Sequence, residues 1–404
     1  MDRRSFLTGT GTLALSQILA GCGGQNQETL SLKFLKGSVP NSVVKAFRAA
    51  IRKTAKLDFA SVTQLRTLFE NLQSWQQKDE KIEKERWCLP IRLPFLCESN
   101  QPPDLLTIGD YWLAAAIEQN LIQPLVDATE VPQLSNLYPQ WQKLNPLLPW
   151  DKVVRRDKRG FPDPQGQIWA APYRWGYTVI AYNVDKFESL NLKKPSDWGD
   201  LWREELRDRI SLPNHPREVI GLTLKTLEKR YNLEKCYNLE NLGQAPNLTD
   251  KLLRLHQQVK LYSSDTYIEP LILGDTWLAV GWSNDLLPIM QRYRHIDVVI
   301  PSSGTALWAD LWVRPAGKTA NQALDQLWIN YCWETNIAEQ ITLLSKANSP
   351  IPVTLNPTSI QEGLRPLLIP NEQIVQSSEF LLPLSPEVQQ QYQSLWEKTV
   401  TSSA

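Results

Sequence analysis

Acidic side chains stand beside aromatic ones at four places in this 404-residue chain. They are Asp110-Tyr111-Trp112, Asp275 with Trp277, Trp282 with Asp285, and Trp308-Ala309-Asp310. The face of an aromatic ring attracts a cation, and each contact contributes about 0.5–2 kcal/mol. A carboxylate adds a charge-assisted hydrogen bond to an ammonium group. Aromatic walls with acids at their ends therefore suit a flexible alkyl ammonium ion, although core packing is the simpler explanation of any single tryptophan.

Asp310 occupies an informative position, in the stretch GTALWADLWVRP. Read as a β-strand, this stretch puts Trp308, Asp310 and Trp312 on one face, because side chains alternate along a strand. A buried strand normally excludes an uncompensated carboxylate, since its removal from water is costly. Asp310 is therefore a candidate cation contact. The structural alternatives are an acceptor in a turn at the strand end and an ion-pair partner of Arg314.

Other classes of function have less support. The 43 basic and 43 acidic residues cancel. The protein therefore has no overall positive electrostatic field that would attract nucleic acid. The chain lacks G-x-S-x-G, P-loop, H-E-x-x-H and dinucleotide-binding motifs, and its three histidines are scattered. Cys88, Cys97, Cys236 and Cys332 form no C-x-x-C pair and have no histidine at ligand spacing, which argues against zinc. The sequence predicts no catalysis, no metal and no cofactor.

The first 22 residues, MDRRSFLTGTGTLALSQILAGC, have the features of an export signal. Arg3 and Arg4 precede a weakly apolar stretch that is too short to span a bilayer and resembles a twin-arginine signal. The segment LAGC resembles a lipobox, which makes Cys22 the lipidated first residue of the mature chain, followed by a tether over residues 23–29. The alternative is that Arg3 and Arg4 are an ordinary charge pair beside the apolar stretch and that Cys22 is an ordinary thiol. We expect a periplasmic location with a lipid anchor in a membrane, where Cys88 and Cys97 either form a disulfide or stay as buried thiols.

The elements that must position these side chains recur in strand–loop–helix order. This order predicts an α/β fold with sheets covered by helices, and the length allows two domains. Helices are expected at 41–53, 61–86 and 319–345, and a long connection at 127–167. Strands are expected at 30–35 and 172–187, early in 103–125, at RISLP within 195–227, early in 274–290, and twice within 295–315 around Gly304.

From about residue 100 onward, the chain resembles the spermidine/putrescine-binding proteins of bacterial ABC importers, within the class of extracellular solute-binding proteins. The resemblance lies in the order and spacing of PDLLTIGDYW, PYRWGYTVIAYN, SDWGDLW, PREVIGLTL, GDTWLAVGWS, IPSSGTALWADLWVRP, KANSPIP and NPTSIQEGLRPLLIPNEQI. It implies a type II periplasmic-binding-protein fold, with mixed sheets flanked by helices and two lobes around a hinged cleft. The implied division is residues 30–172 for the first part of lobe 1, 173–308 for the first part of lobe 2, and 309–404 for crossing segments and shared helices.

The resemblance also implies ligand contacts. Asp310 would hold a ligand amine, Glu218 a second nitrogen, and Trp308, Trp282 and Tyr111 would form the walls. From the residues alone, Glu218 is an ordinary first-turn acid if the preceding histidine caps a helix. Trp312 is assigned to packing.

Weaker candidate contacts are His215, Asp110 and Trp175. His215 stands where the family carries an aspartate, which removes one acidic contact. Lys36 lies where the family has an aromatic ligand loop, and we expect it on the surface.

The implied function is a lipid-anchored receptor that closes on a polyamine and delivers it to an inner-membrane ABC permease, acting as a monomer without nucleic acid. One alternative is a binder of another solute, such as a sugar stacked on tryptophans or an anion held by Lys36 and Arg174. Another is a secreted hydrolase, which would need a nucleophile beside a base.

Overall fold

The computed structural model describes residues 28–79, 101–317 and 322–401. Within these ranges, no helix combines the length and the apolar character needed to cross a membrane. Cys236 and Cys332 are buried free thiols. Several predictions lie outside the described residues: the export arginines Arg3 and Arg4, the lipidated Cys22, and the possible Cys88–Cys97 disulfide.

The described residues contain thirteen β-strands. They are β1 (Glu28–Leu35), β2 (Ala55–Val62), β3 (Leu105–Gly109), β4 (Ile122–Gln123), β5 (Arg155–Arg156), β6 (Gln167–Ile168), β7 (Ala170–Asn183), β8 (Ile210–Leu212), β9 (Val259–Tyr262), β10 (Leu278–Trp282), β11 (Ile296–Val299), β12 (Ala306–Pro315) and β13 (Glu379–Phe380). The long strand β7 is buried along its whole length, as its run of aromatic and β-branched residues favours.

Helices cover the sheet strands. They are α1 (Asn41–Ile51), α2 (Leu65–Asp79), α3 (Asp110–Glu118), α4 (Leu134–Leu137), α5 (Trp150–Val154), α6 (Val184–Ser189), α7 (Pro216–Lys225), α8 (Glu228–Tyr231), α9 (Leu248–His256), α10 (Glu269–Leu273), α11 (Ser283–Arg292), α12 (Gln322–Cys332), α13 (Thr335–Ser345), α14 (Arg365–Leu368), α15 (Glu372–Gln376) and α16 (Pro386–Thr401). Long helices such as α1 and α9 bury one apolar face, as amphipathic sequences do.

The strands form a mixed sheet in the order β2-β1-β3-β12-β7-β10-β8-β9, with β4 and β13 beside β12, and β11 beside β7. The β1, β2 and β3 strands are parallel, whereas β12 runs antiparallel to both β3 and β7. At the other end, β7 pairs with β10 and β11, and β10 leads on to β8 and β9. Two apolar core clusters pack against the sheet, and the larger one extends from β1–β3 across β7 to β10 and β11. The predicted α/β fold with mixed sheets and flanking helices is confirmed.

Some element predictions were wrong in detail. Strand β2 was missed, and the helix predicted to begin at residue 61 begins at Leu65, because β2 continues to Val62. The predicted connection at 127–167 contains the short helices α4 and α5 and a small β5–β6 hairpin. Residues 198–202 and 204–206 form 3₁₀ turns ahead of β8. The predicted lobe boundaries at residues 172 and 308 fall inside β7 and β12, which both halves share, so these boundaries stay predictions.

Candidate functional site

A cleft of about 760 Å³ lies between the two halves of the sheet. Strand β3 ends at its first wall and continues into α3, while β10 ends at the opposite wall and continues into α11. The first half of β12 contributes the cleft floor, residues 307–310. Seven of the eight predicted ligand contacts line this cleft: Tyr111, Asp110, His215, Glu218, Trp282, Trp308 and Asp310.

Trp175 does not line the cleft, and its prediction as a ligand contact is corrected. Its side chain is fully buried, and its indole Nε1 donates to the Ser349 carbonyl at 2.9 Å. Trp312 is also fully buried and packs against Phe34, Tyr173 and Trp328, in agreement with its predicted packing role. Lys36 is exposed and is not among the residues that line the cleft.

Asp110 is a buried carboxyl group in the first turn of α3. Only 8% of the residue is exposed, and its Oδ1 accepts the backbone N–H of Ala309 at 2.9 Å. Burial raises the pKa of Asp110 from 3.8 to about 7, and the nearby Asp310 adds to the shift, while the hydrogen bond and Arg156 oppose it. An ammonium group in the cleft would favour its ionised form.

Asp310 has a cationic partner within the protein, and its predicted contact with a ligand amine stays a prediction. Its Oδ2 accepts a hydrogen bond from Nε of Arg174 at 2.5 Å, and the two side chains are 2% and 3% exposed. Arg174 lies opposite Asp310 in the β7–β12 register, and its guanidinium also lies 5.5 Å from the centre of the Trp308 ring. Burial raises the pKa of Asp310, and Arg174 opposes that shift. The alternative partner considered above, Arg314, instead pairs with Asp325 at 2.8 Å.

Glu218 lies in the first turn of α7, as expected if His215 caps the helix. His215 Nδ1 accepts the Glu218 backbone N–H at 3.3 Å, and the helix begins with proline. The Glu218 carboxylate is 4% exposed and accepts hydrogen bonds from Thr178 Oγ1 and Trp282 Nε1, both at 2.9 Å. Both donors are neutral, so the negative charge of this carboxylate is held in place without being compensated.

Asp285 is a cleft residue that the site prediction omitted. It lies in the first turn of α11, three residues after Trp282, and accepts hydrogen bonds from Tyr267 Oη at 3.1 Å and Asn284 Nδ2 at 2.9 Å. Burial raises the pKa of Asp285 to about 6, against the opposing effects of Tyr267 and Arg174. The sequence did hint at Asp285, because an acid follows Trp282 by three residues in GWSND. This spacing places Asp285 in the cleft only because α11 begins at Ser283.

Tyr111 and His215 meet across the cleft. Their rings are 4.6 Å apart in an edge-on arrangement, and Tyr111 is 48% exposed. Burial lowers the pKa of His215, so the imidazole is neutral near pH 7 and its Nδ1 remains an acceptor. His215 therefore adds no acidic or basic charge to the cleft at neutral pH.

The charges around the cleft favour a cation. Glu70 pairs with Arg66 at 2.9 Å, and Asp310 pairs with Arg174. Within the described ranges, no salt bridge involves the remaining acids that line the cleft, and no three metal-ligating side chains form a possible metal site. These acids are Asp110, Glu218 and Asp285 inside the cleft and the exposed Asp265.

Solved structures share this fold. One is the spermidine/putrescine ABC transporter substrate-binding protein PotD from Streptococcus pneumoniae. The superposition includes 92% of this chain and 98% of the PotD chain, with a TM-score of 0.70 and 16% sequence identity. Another is a periplasmic thiamin binding protein, whose superposition includes 95% of this chain and 99% of its own, with a TM-score of 0.55 and 15% sequence identity. The type II periplasmic-binding-protein fold is thereby confirmed.

Relatives of known function are more similar in sequence. The spermidine/putrescine-binding periplasmic protein 1 of Haemophilus influenzae is 24% identical over 249 residues, 59% of either chain. The putrescine-binding periplasmic protein PotF of Escherichia coli is 28% identical over 253 residues, 59% of this chain and 62% of PotF. The chain thus spans about three fifths of the length of these relatives.

The predicted resemblance is confirmed by these relatives and by a family model. The model describes bacterial extracellular solute-binding proteins and matches residues 100–373, more than half of the chain. The match includes every predicted ligand contact named above. The chain belongs to the bacterial extracellular solute-binding protein family.

Proposed function

We propose that this protein captures a polyamine in its cleft and delivers it to the permease of an ABC importer. The observation that carries the proposal is the set of three cleft acids without a basic partner in the described structure, Asp110, Glu218 and Asp285. Uncompensated buried carboxylates are costly, and a ligand that brings ammonium groups removes that cost. Trp282, Trp308 and Tyr111 supply apolar faces for the methylene chain between these groups.

The positions of the acids link binding to closure. Asp110 belongs to the half of the sheet that contains β3, whereas Glu218 and Asp285 belong to the half that contains β10. A ligand that contacts acids of both halves binds the closed cleft more tightly than the open one, and this difference drives closure. Binding and closure constitute the whole mechanism, and no chemical step is required.

The names of the relatives support the same function, since they are periplasmic proteins that bind spermidine or putrescine. We propose a periplasmic location, a lipid anchor at Cys22 and action as a monomer. An anion-binding role has less support, because Arg174 is already paired and Lys36 is exposed away from the cleft. A hydrolase role has less support too, since His215 Nδ1 caps a helix instead of facing a nucleophile.

Calorimetric titration with putrescine, spermidine, a sugar panel and common anions tests the proposal. We expect micromolar or tighter binding of a polyamine. Glu218→Gln and Asp285→Asn should each weaken it by about 10–100-fold, because hydrogen bonds to charged groups contribute about 1.5–3 kcal/mol. Glu188→Gln, at an exposed site outside the cleft, is the matched control and should bind as the wild type does. Sugar binding without any response to polyamines would refute the proposal.

A further inference from the structure

Arg174 occupies the place that the sequence pattern assigns to a ligand ammonium group. Its Nε lies 2.5 Å from Asp310 Oδ2, and its Cζ lies 5.5 Å from the centre of the Trp308 ring. The carboxylate and the aromatic ring of the Trp-x-Asp stretch are therefore both in contact with a cation, and that cation belongs to the chain itself. We propose that Arg174 determines specificity by replacing one ammonium group of the ligand, so that the cleft selects a diamine over a triamine. This inference rests on the proposed amine-binding function.

The internal ion pair is fixed by the sheet. Arg174 and Asp310 are direct partners in the register of β7 and β12, and both side chains are almost completely buried. An arginine side chain keeps its charge at every accessible pH, and separating a buried pair leaves two charges without compensation. A ligand ammonium group therefore does not displace Arg174 from Asp310.

The uncompensated acids that remain for the ligand lie on two walls, with Asp110 on one and Glu218 and Asp285 on the other. Glu218 and Asp285 each accept hydrogen bonds from neutral donors only, and neither is in a salt bridge within the described ranges. An ammonium group beside Asp110 would favour its ionised form, so each of the two walls can hold one ammonium group. A third ammonium group would have to lie beside the guanidinium of Arg174, where like charges repel.

Substitutions at Arg174 test this inference, with the affinities for putrescine and spermidine measured side by side. The wild type should bind putrescine at least as tightly as spermidine. Arg174→Gln and Arg174→Met should each shift the preference toward spermidine by at least tenfold, since Asp310 then becomes available to a third ammonium group. Arg174→Lys retains the charge and should retain the preference of the wild type.

A double variant separates specificity from folding. Arg174→Met leaves Asp310 buried without compensation, whereas Arg174→Met with Asp310→Leu removes both charges and is compatible with folding. The double variant should keep the wild-type preference for the diamine. A wild type that prefers spermidine tenfold, or folded Arg174→Gln protein with an unchanged preference, would overturn the inference and leave the amine-binding function intact. Absence of any amine binding would instead refute the proposed function.

Discussion

Replacing Asp110 with asparagine should stabilise the protein above neutral pH and have little effect on its stability near pH 4. An asparagine Oδ1 can accept the same backbone N–H of Ala309 that Asp110 accepts at 2.9 Å. The two side chains have nearly the same shape, so packing around this 8% exposed position should be preserved. The substitution therefore removes little except the ability of the side chain to ionise.

The magnitude follows from the two pKa values of the carboxyl group. Burial raises the pKa of Asp110 to about 7 in the folded protein, against 3.8 for an unperturbed aspartate. Between these values the folded protein holds a proton that the unfolded chain has released, so the free energy of unfolding falls as the pH rises. A shift of about three pKa units corresponds to about 4 kcal/mol of unfolding free energy, which the wild type loses progressively between pH 4 and pH 7. The Asp110→Asn variant has no titrating group at this position, so its free energy of unfolding does not fall for this reason.

Chemical denaturation of both proteins at pH 4, 6 and 8 measures this difference. The stability gained by Asp110→Asn should be small at pH 4 and grow to about 4 kcal/mol at pH 8, where it approaches its upper limit. Comparing the two proteins at each pH cancels the titration of all other groups. A gain that is the same at pH 4 and pH 8 would show that Asp110 is not held protonated by burial, and would refute the reasoning.

Three further predictions concern the cleft and its support. Polyamine binding at pH 6.5 should release protons, because ligand ammonium groups lower the raised pKa values of Asp285 and Asp110; titration in buffers of different ionisation enthalpy measures this release. Gly176→Ala should weaken polyamine binding in calorimetry while most of the fold persists, since the new Cβ would collide with the Trp308 ring. Arg314→Met should cost about 3–5 kcal/mol in denaturant unfolding, because it removes the buried partner of Asp325.

The prediction of the cleft residues combined short local patterns with the resemblance to spermidine/putrescine-binding proteins. Asp110 and Tyr111 follow a strand that ends in glycine, and Glu218 follows a capping histidine and a proline. Such patterns predict where a strand ends and a helix begins, and the carboxyl ends of sheet strands are where side chains gather around a ligand. The family resemblance was needed to select seven of the cleft residues by number, since local patterns alone left Glu218 as an ordinary first-turn acid.

The partner of Asp310 could not be predicted in the same way. Arg314 was the visible candidate, but four residues along a strand correspond to about 13 Å, which is too far for a direct ion pair. Arg174 is 136 positions away in sequence and becomes a direct neighbour only through the register of β7 and β12. Register depends on how the whole sheet pairs, so this ion pair lies beyond any local reading of the sequence.

The Arg174–Asp310 pair bears on how a ligand can close the cleft. Asp310 lies on the cleft floor, on a strand that both halves share, whereas Asp110 and Glu218 lie on opposite walls. An ammonium group held by the floor would gain nearly the same free energy in the open and the closed forms, and such a contact shifts no equilibrium. Under the proposed function, contacts with both walls would form together only when the cleft closes. Arg174 neutralises the carboxylate of Asp310 on the cleft floor, so the uncompensated negative charge lies only on the walls. Ligand binding to the walls favours the closed state.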